Sequence, residues 1–146
     1  TGSSMDWLVW TQGGWITSEH DYPYVSGNGA NPACELPKPK VAQIRSYVGI
    51  QHDEQQMATY LVEHGPISIC VDASTWQHYT GGIMSDCPSW QVDHCVLIVG
   101  YNFEHETPFW IVKNSWAPSW GIEGYVHVKF GDNQCAITSS PINAIV

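Results

Sequence analysis

The sequence predicts an α+β fold, and three observations carry that prediction. Residues 53–64 place apolar Met57, Tyr60 and Leu61 at helical spacing behind an acidic first turn. Four later segments, 67–71, 95–101, 109–114 and 124–130, are short, rich in β-branched and aromatic side chains and bounded by turn residues, so the second half reads as a sheet of mainly antiparallel strands. With 146 residues, 43% of them hydrophobic, the chain has enough apolar material for one core, which argues against disorder.

Taken in order, residues 4–11 carry Met5, Leu8 and Val9 at helical spacing, with Ser4 as the expected N-cap and Gly13-Gly14 as the stop. Residues 21–40 are dense in Pro, Gly and Asn, which set turn geometry through fixed or permissive backbone angles, so a long irregular surface connection is expected there. Such a loop stays ordered only if something ties it down, and Cys34 sits in its middle. Alternation over 41–50 predicts a strand, followed by the amphipathic helix of 53–64, which ends at Gly65-Pro66. The chain contains no internal repeat and no low-complexity stretch.

Charge narrows the function. Fourteen Asp and Glu against five Lys and Arg should repel phosphate backbones and anionic lipid, which points away from nucleic-acid and polybasic membrane roles and toward a protein or peptide partner. An acidic balance also suits work at low pH. No run approaches the roughly 18 apolar residues needed to span a bilayer, and residues 1–4 lack signal-peptide character. Five cysteines, Cys34, Cys70, Cys87, Cys95 and Cys135, are ordinary for a secreted or lysosomal domain, and their odd number leaves at least one without a partner in this chain. Neither paired C-x-x-C knuckles nor H-E-x-x-H occurs, so no metal site and no cofactor is expected.

The residues suited to chemistry are His94, at the opening of the strand 95–101, and Asn114, at the end of the strand 109–114. A thiol is mostly protonated near neutrality, and a neighbouring imidazole converts it to a thiolate paired with imidazolium. That imidazole needs an acceptor on its other nitrogen to fix tautomer and orientation, and an amide oxygen supplies one without adding a competing negative charge. Trp116 is placed to cover such a hydrogen bond. Taken singly, His94 reads as a core histidine, Asn114 as a turn former, and Trp116 and Trp120 as core aromatics. The ordered set Asp93-His94-Cys95-Val96-Leu97-Ile98-Val99-Gly100-Tyr101, Lys113-Asn114-Ser115-Trp116 and Trp120-Gly121-Ile122-Glu123-Gly124-Tyr125 overturns those readings.

That set resembles the papain-like cysteine proteases. Asp21-Tyr22-Pro23-Tyr24-Val25-Ser26-Gly27-Asn28-Gly29, Asn133-Gln134-Cys135 and Ala144-Ile145-Val146 extend the likeness to the cathepsin L-like enzymes of kinetoplastid protozoa, over essentially the whole chain. The resemblance implies a papain-like fold: residues 1–40 as remnant of the helical lobe and connecting loop, and 41–146 as the β-rich lobe. It also implies an endopeptidase using a Cys-His-Asn arrangement, with His94 and Asn114 catalytic and Asp93 as electrostatic support or a solvent-facing group. The family's Cys-Gly-Ser-Cys-Trp segment and upstream glutamine have no counterpart here, so the nucleophile is expected in an N-terminal segment outside this chain. By resemblance, Cys87 and Cys135 form a disulfide, Cys34 pairs within that missing segment, and Cys70, Val92, Cys95 and Ser140 line the substrate pocket, with Ser140 at its floor. Cys70 and Cys95 read as inert small hydrophobes, with a disulfide or a reactive thiol pair across adjacent strands as the alternative. Implied partners are peptide or protein substrates, the missing segment, a propeptide and cystatin-like inhibitors, in a lysosomal or secreted setting. The rival classes are a catalytically inactive homologue that binds peptides or proteins, and an aromatic-rich carbohydrate-binding domain, which leaves the spacing of His94, Asn114 and Trp116 unexplained.

Overall fold

A computed structural model of the chain describes residues 2–89 and 91–146, the side chains of residues 2–4 excepted. It contains helices α1 (Gly2–Gln12) and α2 (Glu54–His64) and strands β1 (Trp15–Ile16), β2 (Ala42–Gln43), β3 (Ser46–Gly49), β4 (Ile67–Val71), β5 (Ile83–Met84), β6 (His94–Asn102), β7 (Phe109–Lys113), β8 (Tyr125–Lys129) and β9 (Ile142–Ile145). The chain divides into two compact units, one holding Val48–Asn143 and the other Ser3–Tyr47 with Ala144–Val146.

The larger unit is built on the strand run β9-β4-β6-β7-β8-β5. Pairings β4–β6, β6–β7 and β7–β8 are antiparallel, and the short β5 lies parallel to β8. Alternation along these strands decides which face is buried: Ile67, Ile69 and Val71 of β4, Val112 of β7, and Val126 and Val128 of β8 are all fully covered. They pack with Met57 and Leu61 of α2 and with Trp76, Trp110 and Ile137 into one apolar cluster. Helix α2 starts where Asp53 accepts the Gln56 N–H (2.9 Å) and stops at Gly65.

The acidic first turn of α2 does more than complement the helix dipole. Glu54 is buried, and its carboxylate accepts from Trp110 Nε1 (2.7 Å), Gly131 N (2.9 Å) and Asn133 N (2.7 Å), joining the helix to β7 and to the turn after β8. Three donors satisfy a charge that would otherwise be costly to desolvate.

In the smaller unit α1 runs past the expected limits, so Ser4 lies within the helix rather than at its cap; its side chain is outside the described ones. The stop at Gly13-Gly14 is steric: Gly14 has φ +75°, and a Cβ there would sit 1.7 Å from the carbonyl oxygen of Ile44. That approach lets Ile44 N–H donate to Gly14 O (2.8 Å). The single strand expected over 41–50 is instead two, β2 and β3, because residues 44 and 45 leave the ladder: Ile44 bonds Gly14, and Arg45 N–H donates to Ile145 O (2.8 Å). Residues 22–41 contain no helix or strand.

Candidate active site

His94 begins β6, where its register partner on β4 is Val71, and the preceding N–H, of Asp93, donates to Val71 O (3.0 Å). The Asp93 carboxylate accepts the Ala73 N–H (2.8 Å), so an exposed residue clamps the start of β6 to the turn that leaves β4. The bond has a simple cause: beyond the last ladder pair, backbone donors need side-chain acceptors.

Asn114 follows the last residue of β7, and its N–H donates to Gly124 O (3.0 Å) across the turn carrying Trp116 and Trp120. Gly121 allows that turn to close: at φ +57°, a Cβ would lie 2.5 Å from Tyr125 O. The Asn114 side-chain oxygen Oδ1 accepts the Ser115 N–H (2.8 Å), which orients the amide, since an NH₂ there would oppose a donor. The same oxygen lies 2.8 Å from His94 Nε2. A carbonyl oxygen only accepts, so Nε2 carries the proton, and neutral His94 keeps a lone pair on Nδ1. Asn114 Nδ2 is buried without a hydrogen-bond partner among the described residues.

Aromatic rings hold the imidazole. Trp116 lies 5.1 Å from His94, ring centre to ring centre and tilted by 30°, and Trp76 meets the imidazole edge-on at 6.2 Å. Trp120 stacks on Trp76 (6.0 Å), while its indole N–H donates to Trp76 O (3.1 Å). Trp76, absent from the expected site, is fully buried and supports both partners. Its segment shows no periodicity, and only tertiary packing brings it under β6.

The other face of β6 is different. Cys95 lines an open hollow of about 370 Å³ with Ser68, Leu97, Lys113, Asn114 and Ser115. Strand alternation puts His94 and Cys95 on opposite faces, so Asn114 lies in both sets of neighbours and His94 does not line the hollow. Of the four residues expected by resemblance to line a substrate pocket, Cys95 borders this hollow. Cys70 is almost wholly buried, Val92 is 45% exposed and Ser140 is half-buried, and none of the three borders the hollow. Cys70 and Cys95, preferred above as inert hydrophobes, are register partners on β4 and β6 and form a disulfide. Adjacent antiparallel positions bring the two Cβ atoms together on one face, which strand spacing alone does not reveal. Cys87 and Cys135 form a second disulfide, and Cys34 is free and exposed. No group of three or more His, Cys, Asp or Glu among the described residues is arranged to hold a metal.

Residues 2–145 match the model of the papain family cysteine proteases. The chain is 41% identical over 143 residues to cysteine proteinase A of Leishmania mexicana, covering 98% of this chain and 40% of that protein. It is 43% identical over 145 residues to a cysteine proteinase of Trypanosoma brucei brucei, covering 99% of this chain and 32% of that protein. Thus the chain spans well under half of these curated relatives. Among solved structures, digestive procathepsin L 3 of Tenebrio molitor superposes with a TM-score of 0.87 at 28% identity, over 99% of this chain and 48% of that one. The family match, the curated relatives and the likeness of fold agree: this chain belongs to the papain family of cysteine proteases.

Proposed function

We propose that this chain is the part of a cysteine endopeptidase that supplies its general base and orienting amide. The observation that carries this reading is the 2.8 Å bond from His94 Nε2 to an amide oxygen already oriented by Ser115 N–H. In this reading Nδ1 takes the proton of a nucleophilic cysteine and later returns it to the leaving amine, while Asn114 keeps the ring aligned without removing its positive charge. Trp116 excludes water from the His94–Asn114 bond, and Asp93 holds the strand end that carries the imidazole.

None of the five cysteines is assigned the nucleophile's role: four are bonded in pairs and Cys34 lies in an irregular loop of the smaller unit. The thiolate is assigned to a segment beyond these 146 residues. Substrates are peptides or proteins, and a propeptide and cystatin-like inhibitors are the expected regulators, in a lysosomal or secreted compartment. Val92 and Ser140 are proposed to contact the substrate side chain on the acyl side. An uncharged Ser140 offers arginine no ion pair, so leucine, valine or phenylalanine should be preferred there.

The test uses the full-length protein and a fluorogenic peptide. His94→Ala should lower kcat/KM by about 10⁴-fold, and Asn114→Ala by less, on the order of 10²-fold, because positioning is lost while the base remains. The 146-residue chain alone should not hydrolyse the peptide. Full thiol-dependent activity in His94→Ala would refute the reading. A second reading, an inactive homologue that binds peptides, draws on one observation: Cys95, next to the imidazole in sequence, is locked to Cys70. Saturable peptide binding by a full-length protein that shows no hydrolysis would favour it.

A further inference from the structure

The two disulfides differ in what can reach them. In the Cys87–Cys135 bridge Cys135 is fully buried, with Trp76 Nε1 donating toward its sulfur (3.4 Å) and the Met84 sulfur 3.7 Å away, and Cys87 is half-buried. Cys95, by contrast, is exposed and borders the 370 Å³ hollow, while its partner Cys70 is 2% exposed. Of the two residues of the Cys70–Cys95 bridge only Cys95 is exposed, so attack by a thiolate is expected there.

The hollow also carries a positive charge. Leu97 is the register partner of Lys113 across β6 and β7, and Cys95 lies two residues along β6 on the same face, the diagonal position about 7–8 Å away in antiparallel sheets. Lys113 makes no ion pair among the described residues, whereas Lys38 is paired with Glu35 and Lys129 with Asp132. In a chain of net charge −9, Lys113 is a local exception beside an accessible disulfide. The other ionisable groups near Cys95 in sequence are accounted for: Asp93 accepts the Ala73 N–H and His94 faces Asn114.

We propose that Cys70–Cys95 is a thiol-exchange site for anionic small thiols of the glutathione class, which enter the hollow and form a mixed disulfide at Cys95. The thiolate attacks Cys95 Sγ, the bridge breaks, and the electron pair leaves on Cys70 Sγ, which takes a proton from solvent. A second thiolate attacks the small-molecule sulfur of the mixed disulfide, releasing the oxidised small thiol and a Cys95 thiolate, which is protonated. The net reaction consumes two small thiols and returns two cysteine thiols and one small-molecule disulfide. The strands survive this change because β4 and β6 remain joined over five register pairs, from Ile67↔Ile98 to Val71↔His94. A Cys95-bound adduct would fill the hollow beside Asn114 and thereby alter peptide selection. That consequence rests on the function proposed above; the exchange itself does not.

The test needs no peptidase activity. The 146-residue chain is exposed to glutathione, and in parallel to neutral 2-mercaptoethanol, then quenched by alkylation at intervals and mapped by mass spectrometry. Cys70 and Cys95 should become alkylated about tenfold sooner than Cys87 and Cys135, with the glutathione adduct on Cys95 and not on Cys70. Lys113→Ala should slow opening by glutathione about threefold at low salt, the effect of one nearby charge in water, and leave opening by 2-mercaptoethanol unchanged. A Lys113→Glu variant should slow glutathione further. Simultaneous opening of both bridges, Cys70 and Cys95 found alkylated before any thiol is added, or equal slowing of both reagents by Lys113→Ala would overturn the proposal.

Discussion

The two units of the chain bury their side chains very differently. In Val48–Asn143 the large apolar residues lie inside: Trp76, Trp110, Met57 and four strand valines are fully covered, and two disulfides bridge the same unit. In the smaller unit Trp10 is 83% exposed, Trp7 55% and Tyr24 73%, and a 510 Å³ hollow opens among Trp7, Trp15, Leu36 and the free Cys34. Polar tethers substitute for a core there: Tyr22 Oη accepts the Glu35 N–H (2.9 Å), and Lys38 and Lys40 lie over the Tyr22 and Trp15 rings. The lesson is that similar apolar content does different things. Alternating strands can close on one another and bury a common face, whereas helix α1 and a loop punctuated by proline and glycine leave Trp7, Trp10 and Tyr24 to solvent or to a partner.

If this contrast is correct, perturbing the larger unit should cost far more stability. The largest effect should come from removing the Cys87–Cys135 bridge. It closes a separation of 48 residues, for which chain entropy gives about 4 kcal/mol, model-dependent. A Cys87→Ala/Cys135→Ala variant should show that loss in urea denaturation, with a raised m-value because the unfolded chain freed of the crosslink exposes more surface, and a loss below about 1 kcal/mol would break the comparison.

Glu54→Gln should follow, at about 2–3 kcal/mol. The two carboxylate oxygens both accept from backbone or indole donors, so the amide must turn its NH₂ toward one of them. An equilibrium midpoint equal to that of the unaltered chain would show that these bonds are replaceable.

A smaller, pH-dependent effect concerns His127 on β8. Burial, and then the charge of His105, lower its pKa below the ordinary histidine value. Its ring stacks on Phe109 at 4.3 Å. Above the unfolded pKa both states are neutral and the residue has no cost. As pH falls below it, the unfolded chain takes up a proton that the folded chain resists, so stability is lost until the folded pKa is passed. His127→Gln should therefore lose less thermal midpoint between pH 7 and pH 5 than the unaltered chain; parallel loss in both would discount the residue. The smallest effect is expected in the other unit, where Trp10→Ser should shift stability by no more than about 0.5 kcal/mol, because the indole is already in water. A drop above about 2 kcal/mol would show that the smaller unit depends on this aromatic residue.

What the sequence by itself determined follows from local periodicity and motif order. Helix α2, strands β4, β6, β7 and β8, the irregular loop and the candidate pair His94 and Asn114 were legible because each signal is carried by neighbours a few residues apart. The tertiary structure alone decided the rest. Two-residue strands such as β1 and β5 are too short to show a period, and the break between β2 and β3 depends on the carbonyls of Gly14 and Ile145, distant in sequence. Trp76 beneath His94, the three donors on Glu54 and the Cys70–Cys95 bridge likewise depend on register and packing between segments, which no local pattern encodes. Periodicity says which face of a strand will be buried. Only the assembled sheet says which residue of another strand it meets.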